Sequence, residues 1–231
     1  MAGHSHWAQV KHKKAVVDAK RSQLISKLIR AITIAARENN NLETNYKLRS
    51  AVERAKNFQI SLETIERAIR KGSDSADKLE EIIYEAYFDE VQMLIKAVTD
   101  NKNRTLGDVK HILNKFNCRL AEPGSVRWNF QEKAFLVCDK KDEDKLLNFV
   151  DYYDDVVEQN GEIMLITNLQ NFNELRKKIE ESKIEIKDSN IELMPISTIE
   201  IDHNKREKLN LLIDQLLSLD DVEEVFTNLK T

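Results

Sequence analysis

Residues 80–99 read EEIIYEAYFDEVQMLIKAVT, and the period of this stretch decides the fold. Ile82, Tyr84, Ala86 and Phe88 recur at every second position, then Val91, Met93, Ile95 and Ala97 do the same, the two-residue repeat of strands with one buried face. Asp89 and Glu90 between the two runs predict a hairpin.

Immediately upstream the repeat is that of helices. From Asp18 to Glu38, Leu24, Ile25, Leu28, Ile29, Ile32, Ala35 and Ala36 recur at spacings of three and four. A turn of about 100° per residue then gathers Lys20, Lys27, Arg30 and Arg37 on the opposite face. Asn39, Asn40 and Asn41 end this helix. Thr44 or Asn45 can cap a second, which buries Leu48, Ala51, Val52 and Ala55. Ser61 can cap a third, which buries Leu62, Ile65 and Ile69 and stops at Gly72.

Downstream, Thr105 and Asp108 form a T-x-x-D start for a helix packing Val109, Ile112, Leu113 and Phe116. Pro123, Gly124 and Ser125 turn into a strand over Val126–Phe130. This ββαβ leaves one sheet face half covered. Residues 134–202 then read strand (Ala134–Cys138), helix (Asp142–Val150), strand near Val156, strand (Glu162–Thr167), helix (Asn171–Ser182) and a strand within Ile184–Ile196, a complete split-βαβ unit. The tail supplies a helix over Lys205–Leu217 and a strand over Val222–Asn228 with no sheet of its own. Returning that strand to the half-covered sheet makes residues 134–202 an insertion. The expected fold is α+β in three domains: a basic helical domain over residues 1–72, a discontinuous α+β domain over 79–133 plus 203–231, and an inserted α+β domain over 134–202. The two α+β domains are expected to be ferredoxin-like or related βα sandwiches.

Charge follows the same division. The 231 residues carry Lys+Arg 36 against Asp+Glu 40; residues 1–72 hold 15 and 6 of these, leaving 21 and 34 for the rest. A basic segment on an acidic body points to a polyanion on one side of the molecule. The acidic remainder is a repulsive or simply solubilising surface, and can also meet a basic protein. Two cysteines, Cys118 and Cys138, form neither a disulfide framework nor a zinc finger and are expected buried and reduced. No run approaches the roughly 18 apolar residues of a membrane span, so the expected location is the cytoplasm.

The residues that can carry chemistry concentrate at the start. Residues 4–21, HSHWAQVKHKKAVVDAKR, hold His4, His6, Trp7, Lys11, His12, Lys13, Lys14, Lys20 and Arg21. That is the mixture that neutralises phosphates and stacks a base or sugar. Trp7 serves equally well as an aromatic docked on the core. Lys27, Arg30 and Arg37 extend the track along the helix behind. The loop Thr99–Thr105, TDNKNRT, offers Lys102 and Arg104 beside the backbone donors of a helix start, so it reads equally as a phosphate seat or a solvated turn. His4, His6 and His12 lack the carboxylate or Cys that would complete a metal site, and His111 and His203 stand alone. No Gly-rich phosphate loop or nucleophile paired with a base appears, so neither cofactor nor catalysis is expected.

The opening MAGHSHWAQVKHKKAVVDAKR, followed in order by SKLIRAITIAARE, RAKNFQISLETIERAIRKG, TDNKNRT and EPGSV, closely resembles the YebC/PmpR family. PISTIEI and DDVEEVFTNL extend the likeness over essentially the whole chain. The resemblance implies three domains, a helical one beside two α+β ones. It also implies control of gene expression, by a DNA-binding transcriptional regulator or by a ribosome-associated translation factor, including mitochondrial translational activators. The family's Gly-Tyr-Gly-Pro-Gly-Gly turn is replaced here by Ala86-Tyr87-Phe88-Asp89-Glu90, which removes the close backbone approach that glycines permit. Between the two roles, the third helix begins Leu62-Glu63-Thr64, which puts an acid where a groove-reading helix meets phosphates. The preferred partner is therefore rRNA or tRNA on the ribosome, with ribosomal proteins as further contacts; DNA is the alternative. No membrane is expected, and a monomer is the preferred state.

Overall fold

The structure, a computed structural model, describes residues 18–73 and 79–230, with side chains from Gln23 onward. Three helices come first: α1 (Asp18–Glu38), α2 (Tyr46–Asn57) and α3 (Leu62–Ser73). Asn45 is the cap of α2. Its side-chain oxygen accepts from the Leu48 N–H at 3.0 Å while its amide donates to the Ala35 carbonyl at 2.7 Å, so one side chain starts α2 and ties it to α1. Ser61 Oγ accepts from the Thr64 N–H at 3.3 Å and starts α3. Ile32, Ala35, Ala36, Leu48, Val52, Ala55, Ile65 and Ala68 close a common core.

Two expectations shift here. Leu62 is 63% exposed, because the apolar stripe of α3 runs one turn beyond the core that Ile65 enters. Gly72, read as a stop, is instead a helix-packing contact. A Cβ there would stand 2.2 Å from the Thr33 carbonyl oxygen of α1 and 2.9 Å from the Ala36 Cβ.

The hairpin is β1 (Glu80–Phe88) and β2 (Val91–Thr99), paired from Glu80↔Thr99 to Phe88↔Val91. Asp89 takes the left-handed conformation, φ 49°, that the two-residue turn requires; a short polar side chain tolerates this where glycine is absent. Helix α4 (Lys102–Lys115) begins earlier than the T-x-x-D pattern suggests. Asn101 is its cap, accepting from the Arg104 N–H at 3.1 Å.

The third strand also moves. β3 is the short Arg119–Leu120, paired with Tyr87 and Ala86 at the sheet edge, whereas residues 127–129 form a 3-10 turn. The cause is Glu85, whose buried carboxylate accepts the N–H groups of Gly124 at 2.5 Å, Val126 at 2.6 Å and Arg127 at 2.9 Å. Donors that a strand would spend on a ladder are satisfied in a turn.

Helix α7 (His203–Leu217) and strand β8 (Val222–Thr227) complete this sheet. β8 pairs antiparallel with β2, and the order is β3-β1-β2-β8. Met93, Ile95 and Val225 face Val109, Ile112 and Leu113 of α4 and Leu209, Leu212 and Leu216 of α7 in one core.

The remaining elements are β4 (Phe130–Asp139), the short α5 (Glu143–Leu146), β5 (Asp155–Gln159), β6 (Glu162–Thr167), α6 (Leu169–Glu181) and β7 (Ile186–Pro195). Their sheet order, β5-β6-β4-β7, is that of a ferredoxin-like unit. The expected helix Asp142–Val150 is broken into one α-turn flanked by 3-10 turns, with Phe149 at φ −112°. Leu147 and Val150 stay exposed there, so no apolar stripe rewards a continuous helix. Residues Gln131–Met194 form one compact unit, and the described residues up to Phe130 form a second together with Pro195 onward. Cys118 and Cys138 are free and buried; burial pushes their thiols up to about 11 and about 12. Among the described residues no helix is long and apolar enough to cross a membrane.

Candidate nucleic-acid interface

Of the candidate contacts, His4, His6, Trp7, Lys11, His12, Lys13 and Lys14 lie outside the described residues, and Lys20 and Arg21 fall in the first turn of α1. The other five are brought to internal partners. Lys27 Nζ donates to the Leu217 carbonyl at 2.6 Å. Arg30 Nη1 donates to the Asp220 carbonyl at 2.9 Å and pairs with Asp221 Oδ1 at 3.2 Å. Gln23 reaches Ser218 O at 3.1 Å and Asp220 Oδ1 at 3.0 Å. The basic stripe of α1 therefore lies on the C-terminal end of α7, where unsatisfied carbonyls and the negative end of the helix dipole favour cations. Arg37 donates to the Leu79 carbonyl, and Lys102 pairs with Glu80 at 2.6 Å.

The Thr99–Thr105 loop does seat an anion, supplied by the chain itself. Asp221 Oδ2 accepts from Thr105 Oγ1 at 2.7 Å, Arg104 at 2.8 Å and Thr99 Oγ1 at 3.1 Å. Burial works against the charge of Asp221, but the Arg104, Thr105 and Thr99 hydrogen bonds outweigh it and hold the carboxyl below its usual range. Arg104 also pairs with Asp100 at 2.8 Å. A cavity of about 430 Å³ opens beside this clasp, lined by Gln23, Arg30, Arg104, Asp108 and Asp220 among others.

A second seam joins α2 to the open face of the sheet. Arg54 lies 3.7 Å from Glu224, and Lys96 lies 3.5 Å from Glu224 and 3.4 Å from Glu81. The β2/β8 register slips here, from Lys96↔Glu224 to Ala97↔Val222, and leaves Glu223 as the extra residue of a bulge. Its Oε1 is sealed from water with no hydrogen-bond partner. Desolvation raises the Glu223 carboxyl to about 7 despite the attraction of Lys96.

The helical domain also carries exposed cations, Lys56 of α2 and Arg67, Arg70 and Lys71 of α3, of which Arg67 pairs with Glu63 at 3.0 Å. Helix α3 carries Glu63 in its first turn and Arg70 and Lys71 in its last, so its side-chain cations gather at its C-terminal end. Sequence reasoning missed Asp221 as the occupant of the Thr99–Thr105 loop. The available signal was the acidic pair Asp220-Asp221 closing the turn before β8, complementary in charge to Lys102 and Arg104. Among the described residues no group of three or more His, Cys, Asp or Glu is placed to hold a metal.

The helical domain is held on the β3-β1-β2-β8 sheet domain by ion pairs and helix-end contacts, and the same order of domains is found in known proteins. Residues 5–75 match the TACO1/YebC protein N-terminal domain and residues 79–229 match the TACO1/YebC second and third domain. The chain belongs to the TACO1/YebC family. It is 39% identical to a probable transcriptional regulatory protein of Caldanaerobacter subterraneus subsp. tengcongensis over 100% of this chain and 98% of that one. It is 41% identical to the one named likewise in Petrotoga mobilis, over 99% of this chain and 94% of that one. The crystal structure of a conserved hypothetical protein from Aquifex aeolicus superposes with a TM-score of 0.86 at 37% identity, covering 98% of this chain and 97% of that one.

Proposed function

We propose that this chain is a non-enzymatic, cytoplasmic regulator of gene expression that binds nucleic acid as a ribosome-associated translation factor. The observation that carries the preference is the polarity of α3. A helix that reads a DNA groove enters with its N-terminal residues, and α3 presents Glu63 there and its cations at the other end. Contact spread over the phosphates of a folded RNA makes no such demand. In this reading Lys11, Lys13, Lys14, Lys20 and Arg21 anchor phosphates, His4, His6, Trp7 and His12 contact sugar and base, and Lys56, Arg70 and Lys71 extend the track. Lys27, Arg30 and Arg104 keep the helical domain seated. Acidic surface on the α+β units is free to meet ribosomal protein. A DNA-binding transcriptional regulator is the second reading, favoured by the names that the relatives carry.

Co-sedimentation with ribosomes across a salt series, with duplex DNA as competitor, tests this. Retention despite excess DNA and steep loss with salt is the expected result; release by DNA at equal phosphate would establish the second reading. Replacing Lys13, Lys14 and Lys20 together with Ala should flatten the salt dependence by roughly one unit of log–log slope per lost contact.

A further inference from the structure

The loop that Glu85 pins carries an indole which no part of the core uses. Trp128 is 63% exposed. Other large apolar side chains are exposed too, but Trp128 differs in being fixed. Its Nε1–H donates to the Ser125 carbonyl at 2.8 Å, and the Tyr87 hydroxyl donates to the same oxygen at 3.0 Å. The backbone beneath is held by the three N–H bonds to Glu85, and Asn129, the next residue, donates to Gln92 Oε1 at 2.6 Å and to Ser197 O at 3.0 Å. A ring presented this rigidly has lost its conformational entropy before any ligand arrives.

Two arginines belong to the elements that hold the ring. The Arg119 guanidinium sits 5.3 Å from the centroid of the Tyr87 ring, and Arg127 donates to the Phe130 carbonyl at 2.5 Å. Neither arginine has a carboxylate partner among the described residues. A fixed, exposed aromatic ring whose supporting elements carry guanidiniums without carboxylate partners suits a planar base on a phosphate backbone.

We propose that Trp128 is a stacking platform for an unpaired base of single-stranded RNA, with Arg119 and Arg127 facing the adjoining phosphates. This rests on the nucleic-acid reading above and adds to it a second contact point, on the sheet domain. A base inside a duplex is already stacked on both faces, so the platform selects single strands.

The test is the affinity of the full chain for a fluorescein-labelled oligouridylate of about twelve nucleotides, followed by fluorescence anisotropy, with the same strand annealed to its complement as control. Trp128→Ala should weaken single-strand binding roughly tenfold or more without changing the slope of log affinity on log salt, since stacking releases no counterions. Trp128→Phe should retain an intermediate affinity, and duplex affinity should not move. Arg119→Ala should instead lower the salt slope. Unchanged single-strand affinity in Trp128→Ala, with the parent chain binding, would overturn the platform and leave the N-terminal reading standing. A parent chain that binds neither strand nor duplex would overturn both.

Discussion

Replacing Asp221 by Asn keeps the shape of the clasp between α1, α4 and the α7–β8 turn but removes its charge. In the parent chain the carboxylate takes Thr105 at 2.7 Å, Arg104 at 2.8 Å and Thr99 at 3.1 Å on one oxygen and Arg30 at 3.2 Å on the other. Hydrogen bonds to a charged group contribute about 1.5–3 kcal/mol each when sheltered. The Arg104 and Arg30 side chains are 50% and 33% exposed, so solvent screens most of their share and the two threonine bonds carry most of the effect. Asn keeps one acceptor oxygen for the threonines but turns an NH2 group towards other donors. The net loss is about 2–3 kcal/mol, measurable as a lower urea midpoint.

The sign with pH follows from the depressed carboxyl. A group whose pKa is lower in the folded chain stabilises it above the unfolded value and ceases to do so as pH falls through the folded value. The gap between parent and variant should therefore be full near neutrality and close below about pH 4. A variant within about 0.5 kcal/mol of the parent, or a gap that stays constant down the acid limb, would refute the assignment of Asp221 as the anion of this site.

Two further outcomes follow from the packing. Gly72→Ala gains about 1 kcal/mol of helix propensity but drives a methyl to 2.2 Å from the Thr33 carbonyl. It should lower stability by roughly 2 kcal/mol net, read by thermal or urea unfolding. Glu223→Gln removes a carboxyl raised to about 7 from its ordinary 4.5. A raised pKa means stability present below the unfolded value and lost as pH rises through the folded one. The variant should thus gain up to about 3 kcal/mol over the parent at pH 8, with the difference vanishing below about pH 4.5 in a pH series of urea midpoints.

The sequence was most informative where period and punctuation agree. The stripe Leu28, Ile32, Ala35 and Ala36 is buried as its spacing requires, and the alternation of Tyr84, Ala86 and Phe88 against Val91, Met93 and Ile95 is the hairpin and its core face. The orphan strand after Leu217 pairs along the outer edge of β2, while the two-residue β3 takes only part of the β1 edge. Local rules failed where a distant group intervened. Thr105 looked like a helix cap, yet its hydroxyl serves Asp221, 116 residues away. Val126–Phe130 looked like a strand, yet Glu85 draws its N–H groups into a turn from about forty positions back.

The same division holds for the candidate interface. Sequence alone determined the family likeness, the three-domain α+β plan and the gathering of positive charge in the first 72 residues, because composition and hydrophobic period are local properties that survive without coordinates. Only the tertiary structure decided which cations stay outward. Lys27, Arg30 and Arg104 carry the same charge as Lys56 and Arg70, but helix ends and carboxylates brought close by the fold engage the first three. Charge is written in the sequence; whether it is neutralised depends on what the chain places within about 4 Å of it.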